Sequence, residues 1–252
     1  MDLVARVGLV AKGTVYVLLG VIALLLAFGK STGEADQRGA MEELVQQPGG
    51  FAVLLLVAIG MCCYALWRYS EAAFGVAGES GAGARVKSLA RAITYTLLAI
   101  TAFTILAQGS SGSQAKQNQA LTARVMHHDG GRWLIGIAGV VIAIVGIALG
   151  YEALARKFEK YLDRARMSHG AYRFTVALGV SGGAARGLVI TTSGVLVVAA
   201  AVTFDPQKAR GLDQALRSLR DAPAGPALLC IVAIGLVLFG LYTYCEARWR
   251  RV

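Results

Sequence analysis

The chain has 252 residues, a formal charge of +10 and a mean hydropathy of +0.58, with 56% apolar and 16% charged residues. A soluble domain is about half apolar and a quarter charged, so this composition excludes an ordinary water-soluble globule. The apolar surplus is gathered into six blocks at 13–28, 51–67, 92–107, 133–151, 187–204 and 227–244.

Each block approaches the roughly 20 residues a helix needs to cross a hydrocarbon core of about 30 Å. Each also has Lys, Arg or Tyr at an end, which can reach the headgroups and extend it. The blocks have almost no polar face to show water, which argues against a large soluble bundle. The first block, with Arg6 and Lys12 ahead of it, has the look of a signal peptide. The same pattern recurs around Arg186, deep in the chain, so the first helix is expected to stay in the mature protein.

That recurrence organises the sequence. Gly8-Leu-Val-Ala-Lys-Gly13 and Gly182-Gly-Ala-Ala-Arg-Gly187 both read Gly-x-x-Ala-cation-Gly and run into an apolar block. Arg91 opens a third block in a degraded copy. The chain thus reads as three two-helix units at 2–75, 85–158 and 179–250, forming a single membrane domain over 1–252. In unit one, the connection after the first helix holds Ala40-Met-Glu-Glu-Leu44 and closes on Pro48-Gly-Gly50, which stops one helix and re-aims the next. Unit two echoes this with Ala120-Leu-Thr-Ala123 and Gly130-Gly131, and unit three with Leu212–Leu219 and Pro223-Ala-Gly-Pro226. Between units two and three, Phe158, Tyr161, Leu162 and Ala165 recur at helical spacing among cations. The connection 156–178 is therefore expected to be a basic amphipathic helix on the membrane face.

Lys and Arg are unevenly shared between the two sets of connections. The set containing both termini carries 16 and the other set 9. Cytoplasmic connections carry the excess, so both termini are expected in the cytoplasm and the chain is expected to be multi-pass.

The landmarks resemble those of the bacterial membrane family called domain of unknown function 1206. They are the two Gly-x-x-Ala-cation-Gly signatures, Ala40-Met…Leu44…Pro48-x-Gly50, and the helix end Gly60…Tyr64…Trp67…Glu71. The resemblance covers nearly the whole chain and is weakest in the middle unit. It implies three tandem two-helix units in the bacterial inner (plasma) membrane and brings no activity.

A two-crossing unit returns the chain to its starting side, so all three units point the same way. An all-α, six-helix bundle with a pseudo-threefold axis along the membrane normal is expected, unlike the inverted repeats of many transporters. Lys12, Arg91 and Arg186 then form a cation ring at the cytoplasmic end. Glu71 and Glu246 stand near it as candidate pairing carboxylates; Arg156, read as the middle unit's residue at their position, joins the ring and adds to its positive charge. Ionisable side chains at the edge of the hydrocarbon are costly unless paired or snorkelled. The ring suits either simple interface anchoring or the headgroup of an anionic lipid or another anion. Gly179-x-x-x-Gly183-x-x-x-Gly187 and Gly146-x-x-x-Gly150 are small-residue packing faces.

Other chemistry is poorly represented. Cys62, Cys63, Cys230 and Cys245 lack metal-type spacing and read as packing residues. His127-His128-Asp129 lies in a polar loop, where adjacent histidines seldom hold a metal. No His lies inside an apolar block, so haem lacks its usual ligand, and no cofactor is implied. No phosphate loop, Ser-His-Asp set or paired intramembrane carboxylates is visible, so an enzyme is not expected. The reading is a non-catalytic accessory protein that binds lipid or other membrane proteins, and not nucleic acid. The alternative is a channel or carrier along the pseudo-threefold axis, for which Thr94, Thr101 and Thr191 are the only polar candidates.

Overall fold

The structure is a computed structural model that describes residues 2–29, 34–75, 82–108, 114–128 and 130–250. Nine α-helices are present among them: α1 (Asp2–Ala27), α2 (Gln37–Gln46), α3 (Gly50–Phe74), α4 (Ala82–Gln108), α5 (Gln114–Met126), α6 (Gly131–Leu154), α7 (His169–Thr203), α8 (Leu212–Arg220) and α9 (Gly225–Trp249). Six of these, α1, α3, α4, α6, α7 and α9, are long and apolar enough to cross a membrane. At 1.5 Å per residue even the shortest is about 36 Å long, more than a hydrocarbon core. The protein is a multi-pass membrane bundle.

Each unit is a long helix, a short helix and a second long helix. A residue in the left-handed region precedes each second long helix: Gly49 (φ 76°), Gly130 (φ 77°) and Ala224 (φ 57°). The residues that follow, Gly50, Gly131 and Gly225, lie against the carbonyls of Leu44, Val125 and Arg220, where a side chain would collide. The middle unit's equivalent of Gly50 is therefore Gly131. The short helices cap the bundle end remote from the termini and bind one another there. Ala35 N–H donates to Asp213 Oδ1 at 3.0 Å and Ala115 N–H to Glu34 Oε2 at 3.2 Å. Asp36 caps α2, accepting from Gly39 N–H at 2.8 Å.

The long helices run around the bundle in the order α4, α3, α1, α9, α7, α6. First and second helices of the units alternate, as a pseudo-threefold arrangement requires. The most extensive packing joins different units: α6 on α7, α1 on α9 and α3 on α4. Within units, α1 packs on α3 and α7 on α9, but α4 and α6 hardly approach each other. The bundle is a ring with one loose seam.

Glycines show where backbones meet and fix the register of the units. A Cβ on Gly13 would lie 2.9 Å from Gly240 O, and one on Gly187 would lie 2.9 Å from Gly146 O. Gly20 meets Ala233 O at 2.8 Å and Gly194 meets Gly139 O at 2.8 Å. These pairs superimpose α6 on α9 with Gly146 on Gly240, which puts Glu152, not Arg156, at the position of Glu246 and Glu71. Arg156 falls one turn later, level with Arg250, and its φ of 54° breaks the helix there.

The connection after α6 also departs from the expected amphipathic helix. It forms two 3-10 turns, Lys157–Tyr161 and Arg164–Arg166, and α7 begins already at His169, capped by Ser168. Phe158 tucks under the bundle, where a Cβ on Gly179 would lie 2.5 Å from its ring, and it meets Tyr242 edge-on at 5.1 Å. Leu162 is buried and bridges to Arg250. The apolar spacing of this segment is satisfied by packing across the bundle end, as a strap.

Candidate functional site

The strap closes over a cavity of about 340 Å³ at the bundle end where the termini lie. Arg6 Nη1 donates to Arg248 O at 3.0 Å beside it, so both termini are on this side. All six long helices and the strap contribute to the wall. Eight cations, Lys12, Arg68, Lys87, Arg91, Lys157, Lys160, Arg186 and Arg250, line it together with the carboxylates of Glu152 and Glu246, and Glu71 stands behind Arg68.

Lys12, Arg91 and Arg186 reach this one cavity from α1, α4 and α7. None forms an ion pair with a carboxylate among the described residues. Aromatic faces hold two of them. Phe239 carries Lys12 Nζ at 5.1 Å from its centroid and Arg186 Cζ at 5.0 Å, and Tyr16 carries Arg186 at 5.5 Å. Such contacts contribute about 0.5–2 kcal/mol each. They offset part of the desolvation cost.

Arg156 is absent from this cavity; with Tyr172 and Arg173 it lines a separate hollow. Glu71 and Glu246 do pair, but with Arg68 and Arg250 instead of the ring cations. Arg68 Nη1 meets Glu71 Oε2 at 2.5 Å, Arg250 pairs closely with Glu246, and Arg250 Nη2 stands 3.9 Å from Glu71 Oε1. Ser88 Oγ donates to Glu71 Oε2 at 3.2 Å, tying α4 to α3. The ring of Trp67 carries the guanidinium of Arg68 at 4.3 Å and that of Arg250 at 4.6 Å. Arg68 also donates to Tyr64 OH at 2.8 Å.

Arg68 and Arg250 were not legible as site residues, because in sequence they are two cations among many near helix ends. The signal available was spacing: Arg68 lies four residues after Tyr64 and three before Glu71, on one helical face. Arg68 is 3% exposed and Arg250 8%. The Nε of Arg68, Arg186 and Arg250 is buried with no hydrogen-bond partner among the described residues. Buried donors in folded proteins are normally satisfied. Three guanidinium groups beside one cavity thus each keep an Nε–H without a partner among the described residues.

The remaining candidates lie elsewhere. Thr94, Thr101 and Thr191 donate to the carbonyls of Ala90, Leu97 and Gly187 of their own helices. Thr191 sits in the α6–α7 contact, against Gly146. His128 Nδ1 lies 2.9 Å from Arg124 O, and Asp129 is outside the described residues. Among the described residues no three His, Cys, Asp or Glu side chains converge as a metal site.

Fold and site define a class: a six-span membrane protein of three tandem hairpins around a cationic cavity. A family model, Domain of Unknown Function (DUF1206), matches residues 7–75, 86–156 and 181–250. The chain belongs to that family. The three matches end at Gly75, Arg156 and Arg250, in agreement with the register set by the glycine contacts. The chain is also similar to the "Uncharacterized protein YxxB" of Bacillus subtilis (strain 168), at 31% identity over 98% of this chain and 90% of the relative. No solved structure matches it.

Proposed function

We propose that the protein is a non-catalytic component of the bacterial plasma membrane, with both termini in the cytoplasm, whose strap-covered cavity binds a phosphate-class anion. The anion is the headgroup of an acidic lipid or a small free phosphate. One observation carries this reading: Lys12, Arg91 and Arg186, none paired with a carboxylate among the described residues, share one cavity with the guanidinium groups of Arg68 and Arg250. Its volume falls within the range of small-ligand sites, about 300–1,000 Å³. Basic pockets between membrane helices recognise phosphate headgroups by charge and by donor geometry. The cytoplasmic placement rests on the surplus of Lys and Arg on the terminal side.

The test is equilibrium binding to the delipidated full chain in non-ionic detergent, with inorganic phosphate and phosphatidylglycerol as separate probes. At least one is expected to bind, more weakly as salt rises, and Arg186→Gln is expected to lower affinity about tenfold or more, the ~1.5–3 kcal/mol of a hydrogen bond to a charged group. Failure of both probes to bind, or binding indifferent to Arg186→Gln, would overturn the proposal.

A further inference from the structure

We infer that the ligand of the cavity is a two-chain acidic phospholipid that enters sideways from the bilayer, through the seam between α4 and α6. This rests on the anion-binding reading above and adds the ligand's class and route.

The seam has a cause in the sequence. In unit one, α1 meets α3 because Gly8 lies on the backbone of Tyr64 and Gly60 lies on Ala11; a Cβ on either glycine would come within 2.5 Å of its neighbour. In unit three, Gly182 lies on Phe239 and Gly235 on Ala185 in the same way. At the matching positions of the middle unit stand Lys87 for the first glycine and Val141 for the second. Their neighbours Ala90 and Val145 take the places of Ala11 and Tyr64. A lysine and a valine cannot let two backbones touch, so this hairpin stays open.

Exposure follows. Tyr64 and Phe239 are 1% and 6% exposed, whereas Val145 is 47% and Val141 53%. Val15 and Val189 are buried, whereas their counterpart Thr94 is exposed.

The seam and the cavity are continuous. Lys87 and Arg91 of α4 and Leu149 and Glu152 of α6, the two helices that flank the seam, all line the cavity. Lys87 Nζ reaches across to Glu152 Oε1 at 3.2 Å, at the level where the headgroups would lie. Further in, Lys87, Ala90, Thr94 and Thr101 fall on one helical stripe about 20 Å long at 1.5 Å per residue. One leaflet's share of the hydrocarbon is about 15 Å, so the stripe is long enough for an acyl chain. Thr94 and Thr101 spend their hydroxyls on their own helix, leaving methyl groups to face the chain. A headgroup among the cations and chains in the gap satisfy both surfaces at once, which a free anion does not.

The test uses the delipidated full chain in non-ionic detergent, with dioleoyl phosphatidylglycerol and inorganic phosphate as probes. Val141→Trp, and separately Thr101→Trp, fill the gap from opposite walls at positions that do not line the cavity. Ile231→Trp, on an exposed face of α9, is the control. Each gap variant is expected to lower phosphatidylglycerol affinity about tenfold and to leave phosphate binding unchanged, while the control changes neither. Gap variants that keep full phosphatidylglycerol affinity would overturn the sideways route and leave anion binding standing; so would an equal loss with the control. If Arg186→Gln changes neither probe, the anion site itself falls.

Discussion

Arg68 is the residue on which the terminal end of the bundle turns. It is almost wholly buried, it bridges Tyr64 and Glu71, and its plane lies on Trp67. Removing one member of a buried ion pair leaves the other charge uncompensated, at about 3–5 kcal/mol. Arg68→Ala is therefore expected to destabilise the bundle by that order, read as an earlier midpoint in denaturant titration in detergent, with Glu71→Gln milder because the amide keeps an acceptor. At the opposite end, Asp36 is the titrating residue. Burial pushes its carboxyl up to about 6, aided by Glu34 and Asp213 and opposed by the Gly39 N–H. The folded cap thus holds its proton more tightly than the unfolded chain does. The stabilisation, on the order of 3 kcal/mol, is fully present below the unfolded value near 4 and is lost as pH rises through about 6. Asp36→Asn is expected to flatten the pH dependence of cap protection in amide hydrogen exchange across that window; an unchanged profile would refute this assignment.

At the scale of helices, the Gly-x-x-Ala-cation-Gly signature does three jobs on one stretch. Its first glycine and its alanine close the helix pair within a unit, its cation enters the cavity, and its last glycine packs on the neighbouring unit. In the middle unit the cation survives as Arg91, while the first glycine becomes Lys87 and the last becomes Ala92, which is fully buried. Only the within-unit contact is lost, and the seam opens there. Gly182→Val would drive a side chain into the backbone of Phe239. Overpacking of this kind costs about 1–3 kcal/mol. Gly182→Val is thus expected to lower the thermal midpoint clearly, whereas Gly170→Ala, in the same helix with open space around it, is expected to be neutral or slightly stabilising.

Across the whole molecule, packing between units exceeds packing within them. The units are accordingly parts of one cooperative ring, and an isolated hairpin would leave its broadest faces uncovered. The helices of this side of the ring are poorly covered: 11% of the most apolar stretch of α6 is buried and 28% of those of α4 and α7, against 56% for α1. Lipid is the natural cover for such surfaces in a bilayer. The proposed orientation is tested at this scale by a reporter fused to the C-terminal end: signal from a cytoplasm-only reporter is expected, and signal from an export-dependent one would invert the topology.

The sequence alone determined the six spans and their three-unit grouping. Bilayer thickness imposes long apolar runs, and repeated glycines and cations mark where each unit starts. It also pointed to Lys12, Arg91 and Arg186 through their shared place in the repeat. The register of the middle unit's second helix was out of reach. Its Gly60- and Tyr64-like landmarks are replaced by Val141 and Val145, so the position of Glu71 was assigned one turn late, to Arg156 instead of Glu152. The strap was misread because an apolar i, i+3, i+4 pattern records only that one face is buried, whether by a membrane surface or by neighbouring helices. Tertiary structure decided which unit packs on which, and so brought Arg68 and Arg250 to the cavity and left α4 apart from α6. Those outcomes depend on backbone approach between segments distant in sequence, which local composition does not encode.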